Sequence, residues 1–297
     1  MKPELTLSKS GGYGRTSGAL MLGVYVVSLN CALLWLTVRP SGTATSVLAL
    51  GNVLIGLGVL FMHHGLRLTR REGQMILIWS LCYCFTFYPF ARWPWLMPLV
   101  LLKSGQAIAP TLAVFVAGDW RRSGISLRQS AIAGIALVVL IGIALTQSSL
   151  GAVHASLLFL FVGSCYVGIQ SSARVLSRDG RAFLTATRVS LCNGIILCII
   201  LGVQHEFKLS FSVVRDGIFL GVFILGVQGL LLLGIRSSPA FWASTIISTS
   251  VPIAIVLNAA FKHQSPPTLQ LVLGCLFVVL SAYLALHEHR KLVAVSV

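Results

Sequence analysis

Ten apolar runs, each about as long as a bilayer is thick, leave this chain few folds to choose from. They lie at 17–38, 46–66, 74–92, 96–118, 129–147, 153–173, 183–203, 216–235, 238–260 and 269–286. A helical span needs ~20 mostly apolar residues. In hydrocarbon every backbone N–H and C=O must find a partner within the protein, so runs like these become helices. Charged residues make up 10% of the 297, against about 25% in a soluble chain, and the mean hydropathy is +0.91. The expected fold class is therefore all-α and transmembrane. The first run is too long for a signal-peptide core and lacks a small-residue cleavage site, so it reads as a retained span. Runs 74–92 and 96–118 nearly touch at Arg92-Trp93-Pro94-Trp95, an aromatic cluster suited to a membrane–water interface.

The charges orient the runs. There are 22 Lys+Arg against 7 Asp+Glu. In a soluble protein that balance would suggest nucleic acid; here the positive-inside rule accounts for it better. With the N-terminus in the cytoplasm, the inner segments hold Lys2, Lys9, Arg15, Arg67, Arg70, Arg71, Arg121, Arg122, Arg128, Arg174, Arg178, Arg181, Arg188, Arg236, Arg290 and Lys291. The outer segments hold Arg39, Arg92, Lys208, Arg215 and Lys262. The division is 16 to 5, with Lys103 inside a run. An odd number of extra or missing spans would scramble it.

Two stretches echo each other. PLVLLKSGQAIAPTLAVFVAG begins at Pro98, and PAFWASTIISTSVPIAIVLNAAF begins at Pro239. Each carries an inner proline, Pro110 and Pro252, 12 and 13 residues on. Each is followed by a run bearing a glycine, Gly134 and Gly274. A proline deep in a helix removes a hydrogen bond and kinks the chain, and interruptions at matching places in two halves point to a transport site. Five spans per half is an odd number, so the second half enters the membrane in the opposite sense. The expected architecture is ten helices as two inverted five-helix repeats, 17–147 and 148–286, flanked by cytoplasmic tails 1–16 and 287–297.

This pattern of a proline-kinked span, a short polar turn and a glycine-bearing span resembles the EamA-like branch of the drug/metabolite transporter superfamily. The match runs from Gln106 to Leu145 and from Ser244 to Leu286, with a weaker one in LLFLFVGSCYVGIQSSARVL. The chain departs from the family where members often carry a glutamate after the proline-bearing span. The first turn here is GDWRRSGISLR, with Asp119, and the second is KHQSPPTLQ, with Ser265. The resemblance implies export or exchange of small metabolites by alternating access, through a cavity lined by spans one, three, four, six, eight and nine.

Lys103 is the only ionisable residue well inside a run. An intramembrane lysine is a functional candidate by default; the structural alternative is a stem that snorkels to the nearer headgroups. Gln106 and Pro110 follow at i+3 and i+7 on the same helix face. Polar residues on the other cavity spans implied by the resemblance are Asn30, Tyr83, Tyr166, Gln170, Gln228, Ser244 and Ser248. Trp79, Tyr83 and Phe87 form an i, i+4, i+8 aromatic stripe. Helix–helix packing is the structural alternative for each of these, and the reading of Gly217-x-x-x-Gly221.

The candidate substrate-binding set is Lys103, Gln106, Asn30, Tyr83, Tyr166, Gln170, Gln228 and Ser248, with Pro110 and Pro252 as helix kinks. No metal site is expected: Cys82-x-Cys84 lacks a second pair, and adjacent His63 and His64 point to different faces. The seven cysteines read as buried small apolar side chains. No cofactor is expected, since no GxxxxGK[ST] phosphate loop occurs. All seven acids, Asp119 and Asp216 among them, are assigned outside the spans in this layout, Asp216 at the very edge of its run, which leaves no intramembrane carboxylate to relay protons. The expected function is a secondary transporter of a small organic metabolite in the cytoplasmic membrane, not an enzyme. A membrane-embedded lipid or isoprenoid enzyme and a non-transporting membrane partner are the rival readings. The expected partners are the bilayer and a small-molecule substrate, which Lys103 would suit to an anionic group. No nucleic acid is expected, and a homo-oligomer is compatible with the sequence.

Overall fold

The computed structural model describes residues 13–63, 68–93, 97, 99–116, 127–147, 151–177, 181–238 and 240–295. Among them there are only helices and connections. The helices are α1 (Tyr13–Thr37), α2 (Ser41–His63), α3 (Arg70–Arg92), α4 (Leu99–Val116), α5 (Leu127–Gln147), α6 (Ala152–Leu176), α7 (Ala182–Val203), α8 (Phe211–Ser237), α9 (Ala240–Ser248), α10 (Ser250–Phe261) and α11 (Thr268–Val295). Each expected apolar run falls on one of them, with α9 and α10 sharing the ninth. Seven stretches are long and apolar enough to cross a membrane, and Ala131–Ile143 and Thr268–Leu284 are shorter apolar helices. The outer surface is apolar as well. Leu77, Ile78, Leu81 and Phe85 on α3, and Ile195 and Ile199 on α7, are exposed, as befits side chains that meet lipid rather than water. This is the architecture of a multi-pass membrane protein.

Local chemistry sets the ends. Thr69 caps α3 in a capping box: its Oγ1 accepts from the Glu72 N–H at 3.2 Å, and Glu72 Oε2 accepts from the Thr69 N–H at 2.7 Å. Ser210 caps α8 by accepting from the Val213 N–H at 3.3 Å. The ninth run breaks at Thr249, three residues before Pro252. A proline ring clashes with the carbonyl four residues back, here that of Ser248, so the chain starts a new helix and Pro252 sits in its first turn. Ser248 and Thr249 turn their hydroxyls onto the Thr245 and Ile246 carbonyls at 2.6 Å each. Gly274 of α11 lies in van der Waals contact with Pro252, its missing Cβ 3.5 Å from the proline nitrogen. The other inner proline, Pro110, does not break α4, which is continuous from Leu99 to Val116. Pro98, Pro239, Asp119 and His64 lie outside the described residues.

The helices pack across the two halves of the chain. α2 lies between α7 and α8, and α3 between α6 and α7. α1 packs on α8 and on the broken rod α9–α10. α4 packs on α6, α5 and the broken rod, and α11 covers α5 and that rod. The approach of α2 to its neighbours depends on glycine. A Cβ at Gly221 would overlap the backbone of Gly51, one at Gly51 would meet the Gly217 carbonyl, and one at Gly194 would meet Val53. With no water to drive helices together in lipid, close backbone packing through small residues supplies the attraction. Gly221→Ala is therefore expected to lower stability by about 1–3 kcal/mol through overpacking. Gly226→Ala, where a Cβ meets nothing within 4 Å, is expected to be neutral or slightly stabilising. Thermal unfolding of both variants in detergent checks the pair.

Candidate functional site

A narrow cleft runs between α1, α2, α3, α6 and α8. Tyr25, Leu29, Leu36, Trp79, Tyr83, Phe87, Tyr166 and Gln228 are among its lining residues. The aromatic stripe of α3 faces it: Tyr83 and Phe87 stand with ring centroids 4.3 Å apart, and Phe87 meets Tyr166 edge-on at 6.3 Å. The cleft's volume is about 40 Å³. Dry engineered cavities that accept benzene are about 150 Å³, so in this conformation the cleft is too small for an organic solute.

All eight candidate binding residues are buried, but they do different things. Lys103 sits in the second turn of α4 with 0% exposure, so its ammonium does not reach the surface. It donates to Gln106 Oε1 at 3.0 Å, and Gln106 Nε2 donates to the Tyr25 hydroxyl at 2.9 Å. This chain leads from α4 to the cleft wall. An ammonium has three donors, and Lys103 has one side-chain acceptor here. Tyr83, Tyr166 and Gln228 line the cleft directly. The Tyr166 hydroxyl and Gln228 Nε2 make no hydrogen bond, while Gln228 Oε1 accepts from Ser190 Oγ at 3.0 Å. Asn30 is not in the lining; its Nδ2 donates to the Val26 carbonyl at 2.9 Å. Gln170 is buried beside the lining residue Ile169. Ser248 spends its hydroxyl on the break in the ninth rod.

Three features leave no clear trace in the sequence. Tyr25, the hinge of the buried chain, carries no periodic signal in an otherwise apolar run. Asn52 and Asn193 are buried on the facing helices α2 and α7, with no charge or motif to flag them. Asp216, expected outside the spans, lies within α8 and is buried. Arg39 explains how: its guanidinium meets Asp216 Oδ2 at 2.6 Å, and Arg215 meets Oδ1 at 3.1 Å. Arg39 also stacks 4.5 Å above the Trp35 ring.

These contacts belong to a set of cross-chain ties at one end of the bundle. Arg92 pairs with Glu206, and the Tyr88 hydroxyl bonds Gln204 Oε1. The Lys208 N–H donates to Ser46 Oγ at 3.1 Å. Leu36 and Phe87, at one end of the cleft, lie just beneath these ties in sequence. Among the described residues no group of three or more His, Cys, Asp or Glu gathers as a metal site would.

No protein-family model and no curated protein matches the chain. One solved structure, described only as "Crystal structure of protein", is similar over 94% of this chain and 99% of its own, with a TM-score of 0.61 and 15% identity. At that identity the likeness speaks to the fold alone.

The partners of the two tyrosines differ, and so should the effect of removing each hydroxyl. Tyr25→Phe leaves the Gln106 amide without its acceptor and is expected to cost about 1–3 kcal/mol. Tyr166→Phe removes a hydroxyl that has no partner and is expected to be neutral or stabilising. Chemical denaturation of the purified variants distinguishes them.

Proposed function

We propose that this chain is a ten-span secondary transporter, an EamA-like member of the drug/metabolite transporter superfamily, that moves a small organic solute across the cytoplasmic membrane by alternating access. The observation that carries the reading is the aromatic cleft between α1, α3, α6 and α8, joined to a fully buried lysine through Gln106 and Tyr25. A lysine in a dry interior costs several kcal/mol and persists there for a reason; an anionic group on the solute would supply the acceptors that Gln106 alone does not.

The packing supports the inverted repeat. With α9–α10 counted as one rod, each helix is exchanged with the one five places on. The pairs α2–α7, α4–rod and α5–α11 then map onto themselves, α1–α8 maps onto α6–α3, α2–α8 onto α7–α3, and α4–α6 onto rod–α1. Two five-helix halves related in this way rock against each other about the site between them. The ties Arg39–Asp216 and Arg92–Glu206 both join the halves, and in this reading they hold one mouth of the cleft shut. By the charge distribution that mouth is extracytoplasmic and both termini are cytoplasmic. The small cleft volume favours the rival reading of a non-transporting partner, and flux decides between them. Folded protein in liposomes should show saturable flux of a solute; none across a broad metabolite screen rejects transport.

Lys103→Met keeps the volume and removes the charge. It is expected to abolish flux of the true substrate while leaving unfolding temperature unchanged or raised, since a buried charge is costly. Lys103→Arg should keep part of the flux, because charge stays while a point donor becomes a planar fork. Wild-type flux in Lys103→Met, measured below saturation, removes Lys103 from the site.

A further inference from the structure

A second cavity, of about 130 Å³, lies where α10 ends and α11 begins. Val100, Ile255, Asn258, Ala259, Lys262, Gln264, Ser265, Pro267 and Gln270 line it. None of these residues is acidic, and Lys262 is the one charged residue among them. Gln270 is engaged with Thr146 Oγ1 at 3.2 Å. Among the described residues the side chains of Asn258, Lys262, Gln264 and Ser265 have no hydrogen bond or ion pair, so the residues that line the space include an ammonium, two amides and a hydroxyl free to take a ligand.

The backbone suits the same charge. The end of a helix is normally its negative pole, where unpaired carbonyls would repel an anion. The end of α10 is closed instead. His263 takes a left-handed φ of 52°, which lets the Gln264 N–H reach the Ala259 carbonyl at 2.9 Å and the His263 N–H reach the Ala260 carbonyl at 3.1 Å. This pair of bonds satisfies the Ala259 and Ala260 carbonyls in the last turn of the helix. A left-handed histidine is uncommon, and here it leaves those two carbonyls hydrogen-bonded rather than free to repel an anion. Meanwhile the first turns of α4 and α11 supply Val100 and Gln270 to the lining, so two positive helix ends border it. The cavity holds several waters' worth of space, enough for one tetrahedral oxyanion.

We infer that this cavity is a binding site for a phosphate-type oxyanion, held by Lys262, Asn258, Gln264 and Ser265. The chemistry is that of a free phosphate or of a lipid headgroup phosphate at the membrane surface. The site is separate from the aromatic cleft and does not depend on the transport reading.

The test is thermal unfolding of the full chain in a phosphate-free detergent, with inorganic phosphate titrated against chloride at constant ionic strength. The unfolding midpoint should rise saturably with phosphate and not with chloride. Lys262→Ala should weaken apparent phosphate affinity at least fivefold, and Ser265→Ala by about twofold to fivefold. Arg71→Ala, the same loss of charge at the other end of the bundle, should leave it unchanged. All three positions are exposed, so the variants are expected to fold, and their midpoints without phosphate verify it. Repeating the titration in phospholipid nanodiscs separates the sources. A midpoint that no longer responds, with a phospholipid retained in native mass spectrometry by wild type and lost from Lys262→Ala, identifies the headgroup; a persisting response identifies free anion. Absence of a saturable phosphate response in detergent, or an equal response in Lys262→Ala, overturns the site.

Discussion

The nearness of α2 to α7 and α8 is the constraint on which the rest of the bundle depends. In lipid an apolar face gains nothing by leaving its solvent, so helices associate through the closeness of their backbones and the few polar bonds they share. Gly51 lies against Gly217 and Gly221, and Gly194 against Val53. Side chains at these points would push the halves of the chain apart. Because they are glycines, α2 seats between two helices of the second half, and α1 and α3 are drawn in beside it. The aromatic cleft is the space left among α1, α2, α3, α6 and α8 once that seating is made.

The same dry interior governs the polar groups. A buried donor without a partner costs about 1–3 kcal/mol, yet this protein keeps several around the cleft, the Tyr166 hydroxyl and Gln228 Nε2 among them. Lys103 is the extreme case, an ammonium inside the protein facing one side-chain oxygen. On the transport reading proposed above, these poorly satisfied groups are the ones a solute would engage. The ion pairs lie elsewhere, at the end of the bundle, where Arg39 and Arg92 cross to the second half. The ion pairs Arg39–Asp216 and Arg92–Glu206 thus stand apart from the unsatisfied Tyr166 and Gln228 groups that line the cleft.

Much of the scaffold was legible in the sequence because hydropathy is summed over some twenty residues and tolerates local noise. The ten runs and the interrupted ninth one could be read that way, though Pro252 marks the break three residues after it occurs. Side-chain partners could not be read. Trp79, Tyr83 and Phe87 share a face by spacing alone, but whether that face meets a neighbour or a cleft depends on α1, α6 and α8. Lys103 stood out by its charge; Tyr25, which completes its chain of bonds, looks like any tyrosine in an apolar run. Hydropathy falls at the edge of the run that Asp216 opens, and by that signal alone the residue belongs outside the spans. Its burial rests on Arg39, 177 residues earlier in the sequence. Gly51 gave no sign of its role, because a close approach is a property of two helices and is written in neither one alone.

The proposed motion of the two halves about the cleft can be tested without knowing the solute. Val38, next to Arg39 in the first half of the chain, and Leu209, seven residues before Asp216 in the second, are both exposed. Spin labels at these positions, in a chain whose native cysteines are replaced and whose unfolding temperature is retained, report their separation by double electron–electron resonance. Alternating access predicts two distance populations, the longer one growing when Asp216→Asn weakens the tie. A single narrow distribution, unchanged by Asp216→Asn, would contradict it.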